Sequence, residues 1–265
     1  MLSTGINQVS RRSDPARAFA VVGGVTVLLV AWFLTAAALH NPALLPSPVS
    51  VAARLVRDSH NPLFWHAFGR TVTEASLGCL LGVVAALPLA YVIYKSWVLD
   101  AAFGPIIAVS QAIPSVAVAP LLVIWIGYGT FAIAVLCSLV VFFPILVTAV
   151  LGLKSLPRDV IEAARLDGAH GVSLLRHIEA PLALPALLAG LRTGVTLSVI
   201  GAVVGEFVMG GSGLGSRLSL QSAAADMTGL FATVTVLCLM AALAFQTIAL
   251  VERTNPIMRA LAQGK

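Results

Sequence analysis

The chain has 265 residues, 59% of them hydrophobic and 10% charged, against roughly 45–50% and about 25% in an average soluble domain. A water-soluble globule cannot hide that much apolar surface, so the composition excludes an ordinary cytosolic enzyme and a disordered chain and points to a protein dissolved in lipid. The net charge of +5 fits a basic excess on the cytoplasmic side of a membrane protein and calls for no nucleic acid.

The expected elements follow from apolar runs, because a helix needs about 20 apolar residues to cross the hydrocarbon. Residues 1–17 read as a polar cytoplasmic tail. Residues 18–251 read as one transmembrane domain, and 252–265 as a cytoplasmic C-terminal tail. Ala18 to Leu39 is the first uncharged run. It is too long for a signal-peptide core and no clear cleavage site follows, so it is expected to be retained. Between His40 and Gly69, Leu45-Pro46-Ser47-Pro48 precedes Val49, Ala52, Ala53 and Val56 at helical spacing. That pattern predicts a short helix lying on the outer membrane surface. Ala75 to Tyr94 is the second span, with Glu74 read as an acid at its N-terminus. No charge occurs between Asp100 and Lys154, an interval that suits two helices broken at Gly127-Tyr128-Gly129-Thr130. Gly190 to Val208 and Asp226 to Glu252 complete six expected crossings. Met209 to Asp226, with its Gly210 to Gly215 cluster, reads as a tight re-entry loop, since it lacks the lysine of a phosphate-binding loop.

Lysine and arginine fix the expected orientation. With the N-terminus inside, Arg54, Arg57, Arg70 and Arg217 lie outside and the other twelve of sixteen lie inside. Both termini are then cytoplasmic.

The cytoplasmic loop 154–181 is the most informative segment. Ser155 and Pro157 can start a helix. Arg158 and Glu162 are four apart and can pair. Gly168 and Gly171 allow a turn, and Val172, Leu174, Leu175 and Ile178 form a second short helix expected to end at Pro181. Two short helices across a glycine bend make a charged knob suited to the grip of another protein.

Three proline residues, Pro105, Pro114 and Pro120, fall in the third span and each removes a backbone hydrogen bond. Broken helices persist in membranes where they line a cavity. Gln111, Pro114 and Ser115 are therefore candidate pathway residues. Glu206 is a further candidate, or else a hydrogen-bond anchor for the glycine loop. Arg192 can snorkel to the interface. The three cysteines lie in apolar runs without metal-ligand spacing, and the five histidines are scattered, so no metal site is expected.

The loop carries a resemblance. Glu162-Ala163-Ala164, Gly168, then Ile178 and Pro181 resemble the signature of permease subunits of ATP-binding-cassette importers, with Ala180 standing where the pattern has Leu. Leu45-Pro46-Ser47-Pro48, Gln111-Ala112-Ile113-Pro114, Trp125 to Gly129 and Gly213-Leu214-Gly215 resemble the branch serving nitrate, sulfonate, taurine, bicarbonate and vitamin precursors. The resemblance implies an all-α integral membrane fold of six transmembrane helices, with a coupling loop between the fourth and fifth. It implies a subunit of the bacterial plasma membrane that is not itself an enzyme. The solute would be a small anion such as sulfonate or nitrate, or a vitamin-precursor or pyrimidine-like compound. Implied partners are two ATPase subunits that bind ATP and Mg, a second permease copy forming a homodimer, and an extracytoplasmic binding protein. Glu162, Ala163, Ala164, Arg165, Gly168, Ile178 and Pro181 would carry the coupling. The alternative is a secondary transporter or channel working without an ATPase. More crossings, internal repeats and midplane acids would mark it.

Overall fold

The computed structural model describes residues 15–110 and 114–254. All regular structure there is helical. The elements are α1 (Pro15–Leu39), α2 (Pro48–Ser59), α3 (Pro62–Lys95), α4 (Trp97–Ser110), α5 (Ser115–Ile126), α6 (Thr130–Lys154), α7 (Arg158–Leu166), α8 (Gly171–Leu174), a π-helical turn (Leu175–Glu179), α9 (Ala180–Met209), α10 (Leu214–Ala223) and α11 (Met227–Thr254).

Five helices are long and apolar enough to cross a bilayer, spanning Val22–Leu39, Pro62–Lys95, Thr130–Lys154, Gly171–Met209 and Met227–Glu252. The expected third crossing is not one continuous helix. It is divided between α4 and α5, which flank residues outside the described ones. The expected turn at Gly127 and Gly129 is present, and both residues have positive φ.

The centre of the bundle is α3, α6 and α9. Lipid gives apolar helices little reason to associate, so close approach of small residues has to supply the contact. Cys137 of α6 is wedged between Gly78 of α3 and Gly201 of α9. A Cβ on Gly201 would stand 3.0 Å from Cys137 Cα, and one on Gly78 would overlap the Cys137 side chain. Ala75, Ile133, Leu136, Val199 and Ala202 pack around this point. A second cluster, with Ile93, Val141, Ile145, Leu146 and Ala149, fills the opposite half.

The end that carries α2 and α10 is laced by charge. Arg54 Nη1 lies 2.9 Å from Asp226 Oδ2, and Arg217 Nη2 lies 3.3 Å from the buried Asp58. The short helix expected between His40 and Gly69 is present as α2. Its start is set by the Ser47 hydroxyl, which accepts from Ser50 N at 3.1 Å. Its acid is tied to α10. α1 is held by Trp32, whose Nε1 donates to Pro46 O at 3.1 Å and whose ring lies 5.8 Å from that of Phe231.

Three expectations are corrected. The helix that carries the second span begins at Pro62 rather than Ala75, because Asn61 caps a helix whose first turns carry His66, Arg70 and Thr71. The 209–226 segment is not only a loop, since α10 occupies most of it. Pro181 does not end a helix: the chain runs helical from Gly171 to Met209. The π turn just before Pro181 widens the backbone where the proline ring and its missing N–H would otherwise break it.

Candidate functional site

At the end opposite α2, the loop after α6 folds into the expected knob. α7 ends in a Schellman arrangement. Ala169 N donates to Ala164 O at 2.9 Å and Gly168 N to Arg165 O at 3.1 Å, with Gly168 at φ +88°. Glycine takes this left-handed conformation without penalty, which is why it stands at this bend. Ile161 is the buried root of α7. Glu162, Ala163, Arg165 and Gly168 are exposed, and Ala164, Ile178 and Pro181 are half-buried. Leu166 is 90% exposed and Val172 77%. Among the described residues Glu162 has no ion-pair partner, so the expected Arg158–Glu162 pair is not formed.

Behind the knob, the π turn is bolted to α3. Glu179 is fully buried, and its Oε1 accepts from Lys95 Nζ at 2.6 Å and from the Tyr94 hydroxyl at 3.4 Å. Lys95 Nζ also lies 4.9 Å from the Tyr94 ring centre. Asp100 pairs with Lys154, and Arg192 pairs with Glu252 while stacking over Phe245. Arg192 thus meets α11 at the end of the bundle, away from Glu206.

The candidate pathway residues scatter. Gln111 lies outside the described residues. Pro114 is exposed in extended conformation at the break, and Ser115 is half-buried at the start of α5. Glu206 is fully buried near the end of α9. Its Oε1 accepts from the Thr71 hydroxyl at 2.7 Å and its Oε2 from Gly215 N at 2.5 Å. Its backbone oxygen accepts from the Ser216 hydroxyl at 3.2 Å. The Thr71 hydroxyl in turn accepts from Leu214 N at 2.8 Å. Glu206 therefore does what the anchoring alternative requires: it takes the Gly215 N–H of the first turn of α10 directly and orients the Thr71 hydroxyl that takes the Leu214 N–H. Glu74 is not at a helix start but deep in α3, 1% exposed, with Arg70 Nε donating to its Oε1 at 3.1 Å. Thr71, Glu179 and the Glu74 environment escape sequence reasoning. The only available signal was an acid in or beside an apolar run.

A cavity of about 460 Å³ opens between α3, α9 and α11, lined by Ser76, Cys79, Val195, Ser198 and Met240 among others. Neither Pro114 nor Ser115 lines it. Among the described residues no group of three or more His, Cys, Asp or Glu side chains could hold a metal.

Residues 78–260 match the family described as the binding-protein-dependent transport system inner membrane component. The chain is similar to the riboflavin transport system permease protein RibX of Chloroflexus aurantiacus, 38% identical over 95% of this chain and 94% of the relative. It is also similar to the formylaminopyrimidine transport permease protein ThiX of Halalkalibacterium halodurans, 34% identical over 85% and 90%. Its fold is similar to that of a methionine ABC transporter, MetNI, solved in an inward-facing conformation (TM-score 0.63, 21% identity, 71% of this chain and 94% of that one). The knob, the multi-pass helical bundle and these likenesses agree, and the chain belongs to the binding-protein-dependent transport system inner membrane components, as a permease subunit of an importer-type ABC transporter.

Proposed function

We propose that this subunit forms the membrane pathway of an ATP-driven importer and takes its energy from a separate ATPase that grips the knob. One observation carries the reading: α7, a short helix outside the apolar spans, presents Leu166 to solvent beside Glu162, which has no ion-pair partner among the described residues, and Val172 of α8 is exposed just past the bend. Exposed leucine at the tip of a charged helix is costly unless a partner covers it. The knob is also continuous with α9 and tied to α3 through Lys95 and Glu179. A push on α7 therefore reaches two of the three central helices as a rigid displacement. ATP and Mg belong to the partner, two copies of which would serve a permease homodimer. A binding protein would deliver solute at the α2 end. The similarity to riboflavin and formylaminopyrimidine permeases favours a vitamin-related heterocycle over a sulfonate or nitrate as cargo.

The test is reconstitution with the ATPase and candidate binding proteins. Leu166→Asp is expected to lower solute-stimulated ATP hydrolysis at least about tenfold, the loss of one buried hot-spot contact, with membrane insertion retained. Stimulated hydrolysis at the unmodified level would remove the docking role.

A further inference from the structure

Knob and bundle meet at the π-helical turn Leu175–Glu179, and apolar packing does little to fix that joint against α3. A cavity of about 460 Å³ is lined by Leu87, Tyr91 and Val92 of α3 together with Leu175 of the turn and Ala180 of α9. Side chains that border a cavity have no partner atoms on that face. The backbone gives little guidance at the same point. The π turn departs from regular α-helical bonding, and Pro181, two residues past Glu179, has no N–H to donate.

What ties α3 to the turn is polar. Lys95 Nζ donates to Glu179 Oε1 at 2.6 Å, and the Tyr94 hydroxyl donates to the same oxygen at 3.4 Å. The ammonium group is held in turn by two rings, with Nζ 5.3 Å from the Tyr91 centre and 4.9 Å from the Tyr94 centre. A link that served stability alone would not be built this way. Glu179 is 0% exposed, and its Oε2 is buried without a hydrogen-bond partner among the described residues. Well-packed apolar residues of similar volume often stabilise as much as a buried ion pair or more, and an unmet buried acceptor adds a further cost. The other two ion pairs at this end, Asp100–Lys154 and Arg192–Glu252, keep both partners partly exposed. The distinctive property of the Lys95–Glu179 pair is its fixed geometry.

We propose that Lys95 and Glu179 are positioning residues for energy transfer. Their pair sets the angle at which the knob meets α3, so that a displacement of α7 moves α3 and α9 together instead of being taken up by the π turn and the cavity beside it. The proposal rests on the knob being gripped by an ATPase. It adds that grip and transmission are carried by different residues: the exposed side chains of α7 hold the partner, and a buried pair touching no partner passes the motion on.

The experiment replaces the pair by an apolar one, Lys95→Met with Glu179→Leu, in the full chain reconstituted with the ATPase and the binding protein. The double variant is expected to unfold at or above the wild-type temperature in detergent, as buried pairs replaced by apolar residues often do, and to retain the ATPase on purification. Its solute-stimulated ATP hydrolysis is expected to fall at least about fivefold, the low end of coupling between distant sites, and more ATP is consumed per solute imported. A merely structural link would leave both of these readouts unmoved in a variant that stays folded and assembled. Wild-type stimulation and wild-type ATP per solute in the double variant therefore overturn the positioning role while leaving the docking of the knob intact. A wild-type chain that retains no ATPase overturns both. If the double variant does not fold, Glu179→Gln decides. It keeps the shape and an acceptor oxygen but gives up the charge that strengthens the bond. It is expected to raise the ATP consumed per solute, and an unchanged ratio overturns the role.

Discussion

Glu206 shows how a single side chain can substitute for a helix cap. α10 starts at Leu214 after Gly213, which offers no side-chain cap, and the Glu206 carboxylate reaches across from α9 to take Gly215 N. The fit leaves no room. A Cβ on Gly213 would overlap the Glu206 carboxylate, and one on Gly215 would stand 2.5 Å from Val203 O. Glu206→Leu leaves the Gly215 N–H without its acceptor and the Thr71 hydroxyl with only the Ala67 carbonyl, at 3.2 Å. Each lost partner costs about 1–3 kcal/mol, and the expected outcome is a large drop in unfolding temperature in detergent. Glu206→Gln keeps one acceptor but turns an amide donor toward the other, so it should fall between Leu and wild type. Equal stability of all three proteins would show that α10 is held by its apolar contacts alone. Glu179 poses the same question at the other end. Removing Lys95 leaves a fully buried carboxylate with only the Tyr94 hydroxyl, at 3.4 Å. Lys95→Ala is therefore expected to cost about 3 kcal/mol, read from denaturant titration, and Lys95→Arg to recover part of it.

At the scale of elements, the bend after α7 turns on conformation rather than space. Nothing lies within 4 Å of a Cβ built on Gly168, yet its φ is +88°. A β-branched side chain is strained there whatever the room, at about 1–2 kcal/mol, while asparagine tolerates the left-handed region. Gly168→Val should therefore loosen the knob and lower coupled ATP hydrolysis several-fold, and Gly168→Asn should stay near wild type. Equal activity of the two variants would mean that the Schellman turn is dispensable. This bend was legible in the sequence because glycine at a helix end has one dominant physical use. Apolar runs likewise located the long helices, since length and lack of charge are what a bilayer demands. The start of α3 was not legible. Hydropathy registers contact with hydrocarbon, and α3 extends past it through His66, Arg70 and Thr73, residues that a helix accepts and an apolar-run reading excludes. Pro181 misled for a related reason. Proline removes one hydrogen bond, but whether the helix stops depends on the turn before it, and the sequence does not announce a π turn. The Thr71–Glu206 hydrogen bond joins positions far apart in the chain, which a single sequence does not reveal.

For the whole molecule the open question is which end faces the cytoplasm, and the structure sharpens the charge argument. At the α2 end Arg54, Arg70 and Arg217 are each paired with Asp58, Asp226 or Glu74, and Arg57 is exposed without an ion pair among the described residues. At the α7 end Lys95, Lys154 and Arg192 are paired, but Arg158, Arg165 and Arg176 are exposed and form no ion pair among the described residues. Lysine and arginine numbers are what the positive-inside rule weighs, and by that rule the knob is expected in the cytoplasm, where an ATPase would reach it. Single-cysteine labelling can check this in intact cells. Cys79 and Cys137 are buried and Cys238 is exposed, so Cys238→Ser supplies a quiet background. In that background Ser59→Cys, at the end of α2, is expected to react with a membrane-impermeant maleimide added outside. Glu162→Cys on α7 is expected to react only after the membrane is opened. The reverse pattern would invert the molecule, put the knob on the side without ATP, and leave the coupling proposal with no partner to push it.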